Sequence, residues 1–292
     1  MADSPSAEYS LDENGVRELL RRTSPDLAAL PLRLFADGWD NSIWRLGSEL
    51  VVRLPRRELA VPLITNEQRA LPAIGQALAA TGIRTPVPLI VGEPGEQFPH
   101  PWSVVPWITG TTALATSRAE NSAWASRLAD ALGALHVRAP ADAPYNPVRG
   151  RPLSTRDDAM RPRLDLFGNH AALRDVWAAG LAASVGSERV WVHGDLHPGN
   201  ILVAEGSLAA LIDFGDVTVG DPAYDLASSW MLFDSSGRDM FRSATGARYD
   251  EATWVRARAW AAYIALVLLT QSDDRPEYFA VGASTADALD AD

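Results

Sequence analysis

The chain of 292 residues contains no lysine; all 26 of its basic residues are arginine. Any site that ordinarily uses a lysine amine must here use a guanidinium, which is permanently charged and forks onto oxygen atoms. Cysteine is absent too, which excludes a disulfide framework, thiolate metal sites and thiol nucleophiles. No apolar run reaches the ~18 residues of a membrane helix. The nearest, Ala259–Leu269, follows Arg256 and Arg258 and reads as a core helix. Residues 1–10 lack the basic start and apolar stretch of a signal peptide, so a cytoplasmic location is expected. Positive charge is in deficit: the net charge of −11 disfavours nucleic acid or an anionic membrane as partner and suits a cationic small molecule. There is no internal repeat and no low-complexity stretch. What remains, 47% hydrophobic and 22% charged residues, is the composition of a globular protein, long enough for two lobes.

Apolar spacing divides the chain. Leu11–Arg22 repeats at helical intervals and ends at Thr23-Ser24-Pro25. Leu30–Ala36, Ser42–Leu46 and Glu49–Leu54 are separated by turns at Asp37–Asn41 and Gly47-Ser48, the pattern of an antiparallel meander. Thr65–Ala80 reads as helix with Pro72 at a start or a kink, and Val87–Val91 and Trp102–Val105 read as strands. Beyond Gly110 helices dominate. Arg118–Arg138 places Trp124, Leu128 and Leu135 on one face, and residues 139–152, rich in Pro and Gly, form a loop. Asp157–Leu166 and His170–Ala183 are weaker helices, Val190–Ile212 holds short strands, and the chain from Asp221 onward is mainly helical. The expected fold is α+β: an antiparallel-sheet lobe over residues 1–106, a connector at Pro106–Gly110, and a mainly helical lobe over residues 107–292.

The chemistry concentrates in His193-Gly194-Asp195-Leu196-His197-Pro198-Gly199-Asn200, delivered by one apolar segment and left by another, and in Leu211-Ile212-Asp213-Phe214-Gly215 after it. Phosphoryl transfer needs positioned charge more than covalent help. One carboxylate orients the acceptor hydroxyl and takes its proton; a second carboxylate and an amide oxygen are hard ligands for Mg²⁺. Asp, then Asn five residues on, then Asp-Phe-Gly meets that requirement. A metal-hydrolase alternative would make ligands of His193, Asp195 and His197, but it leaves Asn200 and Asp-Phe-Gly without a role.

These two motifs resemble those of the aminoglycoside phosphotransferase family, antibiotic and small-molecule kinases of protein-kinase-like fold, with the likeness running from about Leu32 to Leu269. The resemblance implies Asp195 as catalytic base, Asn200 and Asp213 as magnesium ligands, and His193 as a brace for the loop. It makes Asp221 and Asp225 anchors of the following helix, with Asp221 capping it ahead of Pro222.

In kinases a strand lysine grips the phosphates and pairs with a helix glutamate. Arg53 stands at that place in Val51-Val52-Arg53-Leu54, with Glu67 as its partner. Arg56 and Arg57 read as surface charges within reach of the phosphates. The phosphate-covering hairpin, Gly38–Ser42, lacks the usual three glycines; the amides of Asn41 and Ser42 and the Ser42 hydroxyl are its expected phosphate donors. Trp107 or Ile108 would supply a backbone donor to the purine of ATP or GTP, since Pro106 has none. The acceptor implied is a hydroxyl of an antibiotic or other polyhydroxylated molecule, aminoglycosides suiting the acidic charge. A choline, homoserine or ketosamine kinase and a catalytically weak nucleotide-binding pseudokinase are the alternatives. Asp157, Asp158, Asp165, Asp234 and Asp239 are acidic residues that could line the acceptor pocket, and Trp230, Trp254 and Trp260 aromatic ones, with a surface place for the first group and a core place for the second as the simpler reading.

Overall fold

The computed structural model describes residues 6–168, 170, 172–186 and 189–291. Helix Glu13–Thr23 starts at Asp12, whose carboxylate accepts the Gly15 N–H at 2.8 Å. Five strands follow: β1 (Leu32–Asp37), β2 (Asn41–Leu46), β3 (Leu50–Pro55), β4 (Ile90–Gly92) and β5 (Trp102–Pro106). They form one antiparallel sheet in the order β1-β2-β3-β5-β4. Trp44, Leu46, Val52, Leu54, Trp102 and Val104 bury one face of it with Val16, Leu19 and Leu20 of the first helix. Ile43, Arg53 and Ser103 lie one step out of phase, in register with each other, so alternation turns them to the opposite face. That face looks onto the site.

Helix Val61–Ala80 begins four residues before the expected Thr65, with Pro62 in its first turn, where a missing N–H costs nothing, and it runs through Pro72. Ala70, Leu71, Ile74 and Leu78 of this helix belong to the same apolar cluster as Leu128, Leu132 and Trp260, so the helix joins the sheet to the helical region. The expected helix Arg118–Arg138 is two helices, Arg118–Ser122 and Ala125–Leu135, the first opened by a capping box between Ser117 and Glu120. Helix Ala172–Ala182 replaces the expected His170–Ala183; Ala171 lies outside the described residues.

Five short strands frame the motifs: β6 (Thr111–Thr112), β7 (Val190–Val192), β8 (Ile201–Ala204), β9 (Ser207–Leu211) and β10 (Thr218–Gly220). β6, β8 and β9 form one sheet and β7 and β10 another. The His193–Asn200 loop therefore leaves β7 and enters β8, and the Asp213 turn leaves β9 and enters β10. Trp230, Trp254 and Trp260 are buried in the core, the simpler of the two places expected for them. Helix Glu251–Gln271 is the one described helix long and apolar enough, by length and composition, to cross a bilayer. It carries a buried Arg256 paired with Asp221 and packs against helices Ala172–Ala182 and Pro276–Ala291, the surroundings of a core helix.

Candidate active site

Arg53 points from β3 into the cleft and ion-pairs with Glu67 of helix Val61–Ala80. Its other terminal nitrogen lies 3.5 Å from Asp213 Oδ1, and Glu67 accepts the Phe214 N–H at 3.1 Å. One buried pair thus connects the sheet, the long helix and the Asp-Phe-Gly turn. Burial opposes the Arg53 charge, but Glu67 and Asp213 outweigh it and hold its proton more firmly than usual. Burial pushes the Glu67 carboxyl up, offset in part by Arg53. Asp213 has φ +61°, a left-handed conformation that Asp tolerates better than most residues; here it turns the carboxylate outward, 56% exposed.

The His193–Asn200 loop is fixed by its own polar groups and by Asp225. Asp225, fully buried, accepts the N–H groups of His193 (2.6 Å) and Gly194 (3.1 Å) and lies 3.0 Å from His136 Nε2. Gly194 has φ +82°, and a Cβ there would sit 2.3 Å from the Asp216 carbonyl oxygen, so this position takes only glycine. His193 Nε2 meets the Ile212 carbonyl at 3.0 Å and its Nδ1 faces the Asp195 N–H. His197 Nδ1 accepts from Gly199 at 3.0 Å. Both imidazoles serve loop geometry, which disposes of the hydrolase alternative; among the described residues no cluster of three His, Cys, Asp or Glu side chains forms a metal site by itself. Asn200 Nδ2 donates to the Asp195 carbonyl at 2.8 Å and lies 3.4 Å from Asp195 Oδ2.

Asp195 has a further partner. Arg149, in the loop before helix Asp157–Leu166, donates from Nη2 to Asp195 Oδ1 at 2.9 Å. Burial opposes ionisation of Asp195, but Arg149, aided by His197, holds its carboxyl well below the usual range. Burial raises Asp216, with Arg149 again acting the other way.

The family profile described as "Phosphotransferase enzyme family" matches residues 31–260. The chain belongs to that family. A homoserine kinase of Methylocella silvestris is 28% identical over 215 residues, which cover 67% of this chain and 62% of the relative's own length. Among solved structures, the GDP complex of wild-type aminoglycoside 2′-phosphotransferase-IIIa superposes with TM-score 0.66 at 16% identity, covering 96% of this chain and 99% of that one. A macrolide 2′-phosphotransferase from Brachybacterium faecium gives TM-score 0.62 at 22% identity, covering 93% and 98%. Those likenesses establish the kinase-like fold.

Within this family member, some expected nucleotide contacts are engaged elsewhere. The Trp107 N–H donates to the Glu49 carbonyl at 2.7 Å, so it is engaged within the sheet; the Ile108 side chain is buried against Leu202 and Ala210. The Ser42 hydroxyl donates to Asp37 at 2.9 Å rather than into the cleft, and Asn41 is buried with its side-chain oxygen unpartnered. Arg56 and Arg57 are not loose surface charges: Arg56 bonds the Gly38 carbonyl and Arg57 the Asp40 carboxylate, fixing the hairpin. Burial raises Asp40, Arg57 acts the other way, and the charges of Asp213 and Asp195 add to the rise. Asp157 pairs with Arg161 and Trp177, Asp165 with Arg174, and Asp234 caps helix Ser235–Ala244, so each of the three carboxylates has a structural partner.

The donor set suits magnesium. Asn200 Nδ2 is committed to Asp195, which leaves its amide oxygen as the ligand atom, and Asp213 offers an exposed carboxylate. With Asp40, Asp195 and Asp216 close by, phosphates would meet strong repulsion without a divalent cation between. Sequence reading missed Arg149, Asn146, Asp216 and Asp40. It also missed Tyr278, whose ring meets His197 edge-on at 5.4 Å, and Arg275, which lies over both Trp39 and Tyr278 at 5.6 and 5.8 Å.

Proposed function

We propose that this chain is a cytoplasmic small-molecule kinase that moves the γ-phosphate of ATP or GTP onto a hydroxyl of a small acceptor. Lobes 1–106 and 107–292 would bind nucleotide and acceptor respectively. The observation that carries the reading is the approach of Asp195, Asn200 and Asp213, with Asn200 bonded to Asp195 at 2.8 Å and Asp213 joined through Arg53 to Glu67. Asp195 orients the acceptor hydroxyl and takes its proton as the oxygen attacks phosphorus. Asn200 and Asp213 would hold Mg²⁺, which supplies charge neutralisation at the phosphates. Arg53, held by Glu67, aims its guanidinium at the phosphate side of the cleft, and the Ile108 amide meets the purine. The complete set speaks against a pseudokinase, because a binding module has no use for a base.

For the acceptor we favour a polyhydroxylated molecule of aminoglycoside type, which suits the net charge of −11 and the carboxylates at the cleft. The homoserine kinase match supports a second reading, a small amino-alcohol metabolite. Both are tested by offering Mg-ATP and Mg-GTP with kanamycin, other aminoglycosides, a macrolide, homoserine and choline, and reading product mass. Addition of one phosphate, lost in Asp195→Ala but with nucleotide binding retained, is the expected result; Asp213→Ala weakens Mg-nucleotide binding as well. Near-normal turnover in Asp195→Ala would remove Asp195 as the base.

A further inference from the structure

We propose that Arg149 is a positioning residue for the reaction, clamping the Asp195 carboxylate and locking the catalytic loop to the Asp213–Asp216 turn. The inference rests on the reading of Asp195 as the base. Each nitrogen of the guanidinium has its own partner: Nη2 donates to Asp195 Oδ1 at 2.9 Å, Nε to Asp216 Oδ2 at 3.2 Å, and Nη1 to the Tyr224 hydroxyl at 2.7 Å. Burial pushes the Tyr224 phenol up to about 12, so this acceptor stays neutral and in place.

The clamp is itself held. Asn146 Oδ1 accepts the N–H groups of Val148 at 2.8 Å and Arg149 at 3.0 Å, which folds the loop back on itself. Asn146 Nδ2 donates to Asp216 Oδ1 at 2.7 Å, so both oxygens of Asp216 are taken, one by Asn146 and the other by Arg149. The Asn146 N–H donates to the Thr218 hydroxyl at 2.9 Å, tying the segment to β10. Gly150 then turns with φ +63° against Thr218, where any side chain would collide.

The consequence for Asp195 is directional. Arg149 takes Oδ1. Among the described residues Oδ2 has longer contacts, Asn200 Nδ2 at 3.4 Å and His197 Nε2 at 3.5 Å, and it is the oxygen more open to an acceptor hydroxyl. Without the clamp the carboxylate samples other rotamers, and the far side of the Asp213–Asp216 turn loses its side-chain link to the loop, while Ile212 keeps its bonds to His193 and Asn200. A lysine could not replace it, because a point charge cannot address three acceptors in one plane.

The test compares Arg149→Met, Arg149→Lys and Asp195→Asn, each assayed as ADP formed from Mg-ATP with kanamycin, with homoserine and with water alone as acceptor. Arg149→Met should lose about 100-fold in kcat, the scale of a misplaced catalytic group, while KM for Mg-ATP stays within about twofold. Arg149→Lys should lose roughly 10-fold, and it decides the matter if the Met variant fails to fold. In Arg149→Ala, guanidinium ion should restore kcat saturably where methylammonium does not, a response that a purely structural role would not give. Wild-type kcat in folded Arg149→Lys and Arg149→Met, with Asp195→Asn inactive, would overturn the clamp alone. Activity in Asp195→Asn would overturn the underlying assignment of the base.

Discussion

The Arg53–Glu67 pair makes an asymmetric stability prediction. Both members are buried, Glu67 completely and Arg53 to 8% exposure. Removing one partner of a buried pair costs about 3–5 kcal/mol when the other remains charged. Glu67→Met leaves a guanidinium that cannot shed its proton, with only Asp213 at 3.5 Å to compensate, and it also orphans the Phe214 N–H. We expect a loss of about 4 kcal/mol, the low end of that range plus ~1 kcal/mol for the amide. Arg53→Met leaves a carboxyl that burial already pushes towards its neutral form and that still accepts from Phe214, so about 2 kcal/mol is expected. At 2–4 °C per kcal/mol, the two midpoints should differ by roughly 4–8 °C, with Glu67→Met the lower. The sign of the pH effect follows. With its folded pKa raised, Glu67 in Arg53→Met binds its proton more tightly when folded, so stability is greatest in acid and falls as pH rises through the raised value. The variant's deficit relative to wild type should therefore shrink from about pH 8 to about pH 5. Urea unfolding at both pH values provides the measurement. An Arg53→Met variant as unstable as Glu67→Met, or one whose deficit grows in acid, would refute the reasoning.

Two further outcomes follow from the loop. Gly194→Ala forces a Cβ to within 2.3 Å of the Asp216 carbonyl oxygen, so kcat should fall by about 100-fold, with an altered Asp216 environment visible by amide exchange. Asp225→Ala removes the acceptor of two loop N–H groups and the partner of His136; a loss of about 3 kcal/mol in urea unfolding is expected, together with nearly complete loss of turnover.

The core of the site was legible because its chemistry is contiguous. Eight residues carry Asp195 and Asn200, and the strands on either side announce themselves by their apolar character. Arg53 was legible through the absence of lysine, since the alternation of β3 left one cation to face the cleft. Arg149 was not, because it lies 46 residues before Asp195 in a stretch whose prolines and glycines say only loop. Its role comes from tertiary contacts through Asn146 and Asp216. β6 and β10, two and three residues long, exist by pairing with β8 and β7 and leave no periodicity to read. The capping box of Ser117 and Glu120 marks where the helix starts, but nothing in the apolar stripe marked its break at Ala123 and Trp124. Trp107 shows the limit of analogy: its amide sits where a purine donor was expected, yet the sheet edge at Glu49 takes it.

The arginine in β3 also changes how the protein would respond to reagents. Acylating nucleotide probes attach to the side-chain amine that most kinases place beside the phosphates, and this chain has no such amine anywhere. A survey based on that chemistry would pass over the proposed nucleotide cleft even at full occupancy. Dicarbonyl reagents, which condense with guanidinium groups, are the complementary tool, and protection of Arg53 by Mg-nucleotide would be the signal to seek.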